Sequence, residues 1–353
     1  MEGRHDSYLE PRRNQIPNPE SRIPNPKSQI PNPDSRYDPR VSVAVASHSF
    51  PKHPTLRREL TERHPDAVFN DTRQPLRGDD VIGFLRGHDK AITGLEVLDE
   101  QVFDALPGLR VVSKYGVGLD MIDLDAARRH GVSVRWTPGV NRQSVAELTI
   151  ALMIALCRRI VPLAIDLREG RWSAGGGRQI SSATVGVVGC GHVGKTVARL
   201  CVAFGATVLA HDIVDYEEFY RAHGVRAVAL DTLLRESDIV TVHVPLDDST
   251  RNLIDARALA AMKSTAVVIN AARGGIVDED ALTAALRDGR IAGAAADVFA
   301  IEPATDLELL RLPNFIGTPH VGGSTEEAVL AMGRAAIAGL DLEHGSMDLT
   351  SNS

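Results

Sequence analysis

The sequence predicts an α/β fold in which parallel sheets are covered by helices on both faces. From residue 41 onward, short apolar runs rich in Val, Ile and Ala alternate with segments of helical spacing. Runs that are apolar on both faces are typical of parallel strands buried between helices. The predicted strands are 41–46, 90–95, 110–115, 184–189, 207–212, 239–244, 266–272 and 291–298. Long helices are predicted at 141–160 and 324–340.

Length and composition fit a globular protein of two domains. The chain has 353 residues, 43% of them hydrophobic and 24% charged, which is outside the range of disordered chains. The formal net charge of -7 lacks the basic surplus typical of nucleic-acid binding. The sequence contains no run of about 18 apolar residues, so no membrane span is predicted. The first residues lack the apolar core of a secretion signal and three cysteines are too few for a disulfide framework, so we expect a cytoplasmic protein.

The first forty residues differ from the rest. A seven-residue unit is repeated as IPNPESR, IPNPKSQ and IPNPDSR, starting at Ile16, Ile23 and Ile30. Two prolines in each unit exclude a helix, and one aliphatic residue cannot offset the entropy lost on ordering. Residues 1–40 are therefore predicted to be a disordered tail. A proline-rich segment that docks in an aromatic groove is the alternative.

A glycine motif follows the predicted strand 184–189. Gly189, Gly191 and Gly194 form G-x-G-x-x-G between that strand and a helix, which is the context of a dinucleotide site. The diphosphate would lie at the helix N-terminus. The next strand ends at Asp212, whose carboxylate suits the ribose hydroxyls and repels a 2'-phosphate, so NAD is favoured over NADP. A structural turn is the alternative for both features. Cys190, inside the loop, is read as a small residue that fits, with a helix-stabilised thiolate as the alternative.

Three later segments carry ionisable side chains just beyond predicted strands. They are INAARGGIVDEDAL with Arg273, GAAADVFAIEP with Asp297 and Glu302, and GTPHVGGST with His320. Ligands of open α/β sheets bind at this carboxyl edge. An imidazole titrates near neutral pH and can transfer protons, while a guanidinium can hold a carboxylate by two bonds. Taken singly, each residue is as common on an ordinary surface loop.

Together these segments resemble the signatures of the D-isomer-specific 2-hydroxyacid dehydrogenases, and GVGLDMID at 116–123 resembles the substrate loop of that family. The resemblance covers roughly residues 41–342, and the chain looks most like the phosphoglycerate dehydrogenases. Met121, Ala271 and Ala296 stand where Asn, Thr and Leu are common, and none of these differences removes a charged group. The resemblance implies two Rossmann-like doubly wound domains, with NAD as cofactor and a homodimer as the assembly. Residues 139–320 would bind NAD, and residues 41–138 with 321–344 would bind the substrate.

The resemblance also assigns residues. It implies His320 as the acid and base, Glu302 as its partner, Arg273 as the group that holds the substrate carboxylate, and Asp297 near the nicotinamide. The expected cofactor contacts are Gly189, Gly191, His192, Val193, Gly194, Asp212, His243, Pro245, Thr250, Ala271, Arg273, Asp297, His320 and Gly323. The expected substrate contacts are Arg86, Val117, Gly118 and Arg273. No metal is expected.

The sequence leaves the substrate open. Arg86, Lys114 and Arg142 lie near the segments that resemble substrate loops and could bind a phosphate, which would suit the 3-phosphoglycerate and 3-phosphohydroxypyruvate pair. Hydroxypyruvate, glyoxylate and other 2-oxo acids are the alternatives. An NAD-sensing corepressor is the alternative of another class, since some members of the superfamily use this fold as an interaction module. Turnover of NADH with a 2-oxo acid discriminates between the two classes.

Overall fold

A computed structural model describes residues 42–72, 74–305, 307–341 and 347–348. The predicted disordered tail, residues 1–40, lies outside these ranges. The predicted α/β architecture is confirmed, because two separate sheets are each built from parallel strands with helices between them.

The strands lie in two groups along the chain. Those of the first sheet are β1 (Val43–Val45), β2 (Val68–Phe69), β3 (Lys90–Thr93), β4 (Val111–Lys114), β5 (Ser133–Trp136) and β13 (Met347–Asp348). Those of the second sheet are β6 (Thr184–Val188), β7 (Thr207–His211), β8 (Arg226–Ala227), β9 (Ile239–Val242), β10 (Val267–Asn270), β11 (Gly293–Ala296) and β12 (Phe315–Gly317).

The helices alternate with the strands. They are α1 (Pro54–Arg63), α2 (Asp79–Leu85), α3 (Glu100–Ala105), α4 (Leu124–Arg129), α5 (Arg142–Cys157), α6 (Ile160–Arg168), α7 (His192–Ala203), α8 (Glu217–His223), α9 (Leu230–Glu236), α10 (Ala256–Ala261), α11 (Glu279–Arg287), α12 (Leu307–Arg311) and α13 (Glu326–Gly339).

The first sheet has the order β13-β5-β4-β3-β1-β2, in which only β13 is antiparallel to its neighbour. The order 2-1-3-4-5 of its parallel strands is a doubly wound arrangement, with a switch point between β1 and β3. Its two faces are covered by separate apolar clusters. Helix α13 follows the second sheet in sequence but packs on β4 and β5 of the first sheet.

The second sheet has the order β12-β11-β10-β9-β6-β7-β8, and all of its strand pairs are parallel. This is the strand order of the dinucleotide-binding fold with one strand added. Strand β6 is buried from Val185 to Val188, because Val side chains suit a pleated strand covered on both faces. The topology places the loops after β6, β7, β9, β10, β11 and β12 at one edge of the sheet.

The predicted helix 141–160 corresponds to α5, and a second helix that was not predicted follows it. Helix α5 ends at Cys157, and α6 starts at Ile160 after Arg159, which has a left-handed φ of 52°. Most of the apolar side chains of α5 are buried, whereas none of those of α6 is.

Across the described ranges no single helix is long and apolar enough to cross a membrane, although α5 and α6, bent by 63°, pass that test of length and composition as a pair.

Candidate active site

The three glycines of the loop after β6 have different surroundings. Gly189 has a φ of 89°, and a Cβ there would lie 2.7 Å from the carbonyl carbon of His243. A Cβ on Gly194 would lie 1.9 Å from the carbonyl oxygen of Gly189. Around Gly191, in contrast, no atom lies within 4 Å of the position of a Cβ. Packing therefore requires the first and third glycines, whereas the second faces open space where a diphosphate can approach the backbone.

The start of α7 offers unpaired amides to an anion. Gly191 is its N-cap and has no side chain to cap the helix, whereas the N-cap Asp278 of α11 accepts a bond from the amide of Ala281 at 3.0 Å. The first amides of a helix have no partner within the helix, and the dipole favours negative charge there. The loop and the helix start thus fit the diphosphate of a dinucleotide. His192 and Val193 form the first turn beside this space, and His192 packs against Gly139.

Asp212 follows β7 and lies beside the glycine loop. Its Oδ2 accepts from the amide of Cys190 at 2.5 Å and its Oδ1 from the amide of Val214 at 2.8 Å. The carboxylate is therefore fixed at the edge where the adenosine ribose of a bound dinucleotide lies in this fold. Ile213, the next residue, is almost fully exposed and supplies no cation for a 2'-phosphate.

We expect Asp212→Ser to move the ratio of kcat/KM values from NAD toward NADP by about 10²-fold. The change removes a charge-assisted contact to the ribose and the repulsion of a phosphate, each of about 1.5 kcal/mol or more. Asp212→Asn is the companion variant, because it deletes the charge but keeps the size of the side chain and one acceptor, which the amide of Cys190 can use. The test is steady-state kinetics with both cofactors. An unchanged preference in both variants would remove Asp212 from the ribose site.

Cys190 is fully buried in the loop. Burial, with a smaller contribution from the Asp212 charge, raises the pKa of its thiol to about 11. The alternative of a helix-stabilised thiolate is therefore wrong, and Cys190 is a small residue that fits under the loop.

The residues predicted after β9 lie next to the same loop. Burial lowers the pKa of His243 to about 3, so the ring is neutral, and its Nε2 lies 2.9 Å from Oγ1 of Thr241. Thr250 donates from Oγ1 to the carbonyl oxygen of Pro245 at 2.7 Å, which fixes the turn that leaves the strand. Strand order places this turn beside Gly189, as the cofactor prediction requires.

His320 and Glu302 form a pair after β12 and β11. Nδ1 of His320 lies 2.8 Å from Oε2 of Glu302, and Oε1 of Glu302 accepts from the amide of Phe299 at 3.0 Å. His320 has a left-handed φ of 53°, and its amide donates to the carbonyl oxygen of Asp297 at 2.8 Å. The side chain of His320 is 46% exposed, so Nε2 of the ring is accessible to a ligand.

Asp297 anchors the loop that carries His320. The side chain is buried and accepts from Oγ1 of Thr318 at 2.6 Å and from the amides of Val321 at 2.8 Å and Gly322 at 2.7 Å. Both carboxylate oxygens are thus engaged within the protein, and the placement of Asp297 near the nicotinamide stays a prediction. Gly323 lies beside these contacts, where a Cβ would approach Nδ2 of Asn141 to 3.0 Å.

Arg273 reaches from the second sheet to the loop after β4. Its Nε donates to Oδ2 of Asp120 at 2.7 Å and its Nη1 to the carbonyl oxygen of Ala272 at 2.7 Å. Nη2 lies against Gly118, since a Cβ there would be 1.9 Å from it. The guanidinium is thus fixed in place with its outer edge over the substrate loop. Asp120 lies in the motif GVGLDMID. The sequence assigned it no role, because its partner Arg273 is 153 positions away.

Two other predicted residues, Val117 and Ala271, lie at the carboxyl edges of the sheets. The carbonyl oxygen of Val117 accepts from Nε1 of Trp136 at 2.9 Å, and Ala271 is buried after β10. Arg142 donates to the carbonyl oxygen of Gly139 at 3.1 Å.

Arg86 does not lie at the site. It follows α2 and precedes β3, and nearby His88 contacts Ser42 at the start of β1, 2.6 Å away. This is the amino edge of the first sheet, whereas Gly118 and Arg273 lie at the carboxyl edges. A four-residue strand of about 13 Å separates the two edges, so the predicted substrate contact of Arg86 is not supported.

In the described part of the chain, no group of three or more His, Cys, Asp and Glu side chains is placed to hold a metal ion.

Comparison with known proteins identifies the family. Residues 150–322 match the model of the D-isomer specific 2-hydroxyacid dehydrogenase, NAD binding domain. The chain is 40% identical over 237 residues to a hydroxypyruvate reductase of Thermotoga maritima, covering 66% of this chain and 76% of the relative. It is 44% identical over 235 residues to a D-3-phosphoglycerate dehydrogenase of Mycobacterium tuberculosis, covering 65% of this chain but only 44% of the relative.

A solved structure gives the same result. D-lactate dehydrogenase from Aquifex aeolicus, in complex with NAD and lactic acid, superposes with a TM-score of 0.76 at 28% identity, covering 84% of this chain and 93% of the other. The chain belongs to the D-isomer specific 2-hydroxyacid dehydrogenases, a family of NAD-dependent oxidoreductases. NAD is its cofactor, as the glycine loop and Asp212 predicted.

Proposed function

We propose that this chain reduces a 2-oxo acid to a D-2-hydroxy acid, and catalyses the reverse oxidation, with His320, Glu302 and Arg273 as the groups that serve the substrate. The contact of 2.8 Å between His320 and Glu302 carries the proposal, because it leaves Nε2 as the ring nitrogen that faces a ligand. The proposal assigns residues 41–138 with 321–344 to the substrate and residues 139–320 to NAD.

His320 transfers the proton in this mechanism. When bound, NADH would supply the hydride in reduction and NAD would accept it in oxidation. In reduction, Nε2 of the imidazolium donates a proton to the carbonyl oxygen of the substrate, and in oxidation the neutral ring removes the proton from the hydroxyl. Glu302 fixes the tautomer through Nδ1 and stabilises the charge that the ring gains. Asp297 holds the loop, so the ring keeps its position in both directions.

Arg273 binds the substrate carboxylate. Asp120 and the carbonyl of Ala272 hold its planar guanidinium, so little side-chain freedom is lost when the remaining N–H groups form bonds. These groups point at the loop that contains Gly118, where the absence of a Cβ leaves room for them. The guanidinium thereby orients the carbonyl carbon and polarises its oxygen.

An unphosphorylated substrate is favoured over a phosphorylated one. Of the three cations that suggested a phosphate, Arg86 lies at the opposite edge of its sheet and Arg142 is bonded to the carbonyl of Gly139. Lys114 is near the site but buried. A small 2-oxo acid such as hydroxypyruvate, the substrate named for the Thermotoga maritima relative, fits this arrangement best.

Replacement of Glu302 tests the proposal. Glu302→Gln keeps the shape and an acceptor but deletes the charge that favours the imidazolium. Reduction needs a protonated ring, so the fall of kcat/KM with rising pH should start at lower pH in this variant. Oxidation needs a neutral ring, so its rising limb should also move to lower pH. The measurement is the pair of pH profiles in both directions.

Glu100→Gln is the matched control, because Glu100 contacts His130 at 2.9 Å on the surface outside the site. Its profiles should match those of the parent. If the limbs of Glu302→Gln also stay in place, Glu302 is not the partner of the titrating group.

The exposed face of α6 supports a homodimer. Ile160, Val161, Ile165 and Leu167 are 38–59% exposed, and Trp172 after the helix is 89% exposed. Apolar side chains grouped in this way are typical of an interface between chains. We expect sedimentation at micromolar concentration to give the mass of two chains, and Ile165→Asp with Leu167→Asp to give one. Val68→Asp, on the edge strand β2, is the control. A parent that sediments as a monomer would contradict the dimer.

A further inference from the structure

A buried lysine lies behind the substrate loop and has no part in the mechanism above. Lys114 ends β4 and is 4% exposed. Its Nζ donates to the carbonyl oxygen of Gly94, the residue that follows β3. A buried ammonium is unfavourable unless it is paired, so its presence here calls for a physical reason.

Glu96 completes the arrangement around Gly94. The side chain is fully buried, and its Oε2 accepts from the amide of Gly94 at 2.6 Å. No group in the described ranges donates to its Oε1. Both polar groups of Gly94 are thus bound by charged side chains, and a Cβ there would lie 2.8 Å from Oγ of Ser47.

The ammonium also lies against the loop that Arg273 covers. A Cβ on Gly116 would be 3.8 Å from Nζ of Lys114, while a Cβ on Gly118 would touch Nη2 of Arg273. Two residues span at most about 7 Å. The two cations therefore both lie against the same three-residue loop.

We propose that Lys114 is a positioning residue of the substrate site, a second cation whose field adds to that of Arg273 in attracting the carboxylate of the 2-oxo acid, with Glu96 keeping it charged. The inference rests on the proposed function, since it requires an anion held beside Gly118. Lys114 acts through space and through the loop, because its burial keeps it from touching the substrate.

The electrostatic surroundings set the pH range of this effect. Burial lowers the pKa of Lys114 to about 8; Glu96 opposes that shift, Arg273 adds to it and Asp120 opposes it. His48, after β1, is also close enough to feel these charges: burial and then Lys52 lower its pKa, and Glu96 opposes that shift. The ammonium therefore loses its proton as pH rises through about 8, and the attraction for the substrate carboxylate is lost with it.

Substrate KM in the oxidation direction separates this effect from that of His320. His320 acts in the chemical step, which kcat reports, whereas the field of Lys114 acts on binding of the D-2-hydroxy acid, which KM reports. The KM of the parent chain for the D-2-hydroxy acid should therefore rise as pH rises through about 8. Lys114→Met should raise KM at pH 7 about 30-fold, the effect of one unit charge at on the order of 8 Å near a protein surface. Its kcat should change less than twofold, and its KM should no longer depend on pH in this range.

Glu96→Gln separates an electrostatic role of Lys114 from a purely structural one, because a structural role predicts no shift in the pH dependence of KM. Gln still accepts from the amide of Gly94, but the loss of the carboxylate lowers the pKa of Lys114 further. The rise of KM should move to lower pH, with KM at pH 6 no higher than in the parent. Lys263→Met is the control, because Lys263 pairs with Asp238 at 2.9 Å outside this site, and it should leave KM within twofold.

An unchanged KM in folded Lys114→Met would overturn the inference, as would a parent KM that stays level from pH 7 to 9.5. If Lys114→Met does not fold, the profiles of the parent and of Glu96→Gln still decide. Turnover by the parent tests the proposed function separately. A parent without turnover can be assayed for binding of oxalate to its NADH complex, where a level affinity across pH 8 would likewise overturn the role of Lys114.

Discussion

His320→Asn is expected to lower kcat for reduction of a 2-oxo acid by on the order of 10³-fold, the usual contribution of a positioned general acid. The side chain of Asn cannot titrate, so the variant should lose the pH limbs along with the rate. NADH should bind as in the parent, because the glycine loop and Asp212 are untouched. Steady-state kinetics at saturating NADH, with NADH affinity from fluorescence, measures both quantities.

His130→Asn is the matched control for this change. His130 also contacts a glutamate, with Nε2 at 2.9 Å from Oε1 of Glu100, but it lies at the end of α4 outside the site. Its kcat should equal that of the parent. A His320→Asn enzyme that keeps more than about a tenth of the parent rate would remove His320 from proton transfer.

Arg273→Met is expected to lower kcat/KM by about 10²- to 10⁴-fold, since it removes two charge-assisted bonds of about 1.5–3 kcal/mol each. Most of the loss should appear in KM for the 2-oxo acid. Arg273→Lys should recover part of it, because an ammonium keeps the charge but not the planar fork.

Arg287→Met is the control for a lost arginine, since Arg287 pairs with Glu308 on the surface of α11. An Arg273→Met enzyme with the parent KM would show that another group holds the substrate carboxylate. The measurement is initial rate against 2-oxo acid concentration for the three variants and the parent.

The sequence predicted those parts of the fold that have a strong local signal. Each predicted strand overlaps a strand of the structure, because short apolar runs between helical segments are typical of parallel strands buried on both faces. Five of the described strands went unpredicted. β2, β8 and β13 have two residues each, β12 has three, and β5 carries Arg135 within SVRW, so none of them shows a long apolar run. Their pairing is decided by neighbours that are distant in sequence.

The break between α5 and α6 has one local signal, Pro162 in the first turn of α6, where proline is tolerated. Arg159 takes a left-handed φ of 52° three residues before that proline. Apolar residues continue on both sides, so the sequence does not show at which residue α5 ends. The packing of α5 on α7 and on β10 and β11 covers only the first part of that run, and the chain turns where the covered part ends.

Within the candidate site, the motifs predicted which side chains would meet but not how they are held. The His320 and Glu302 contact follows from two loops at neighbouring strand ends. The support from Asp120 and the internal bonds of Asp297 depend on tertiary contacts across the chain. The placement of Arg86 failed because nearness in sequence to a substrate loop does not tell which edge of the sheet a residue occupies.

Oxidation of NADH by the parent chain, with a panel of 2-oxo acids, tests the central claim most directly. The panel is hydroxypyruvate, glyoxylate, pyruvate, a branched 2-oxo acid and 3-phosphohydroxypyruvate. We predict turnover on the order of 1–10³ s⁻¹ with at least one unphosphorylated acid, forming the D-hydroxy acid and lost in His320→Asn. A chain that binds NADH but turns over none of these acids would contradict the account and favour an NAD-sensing binding protein.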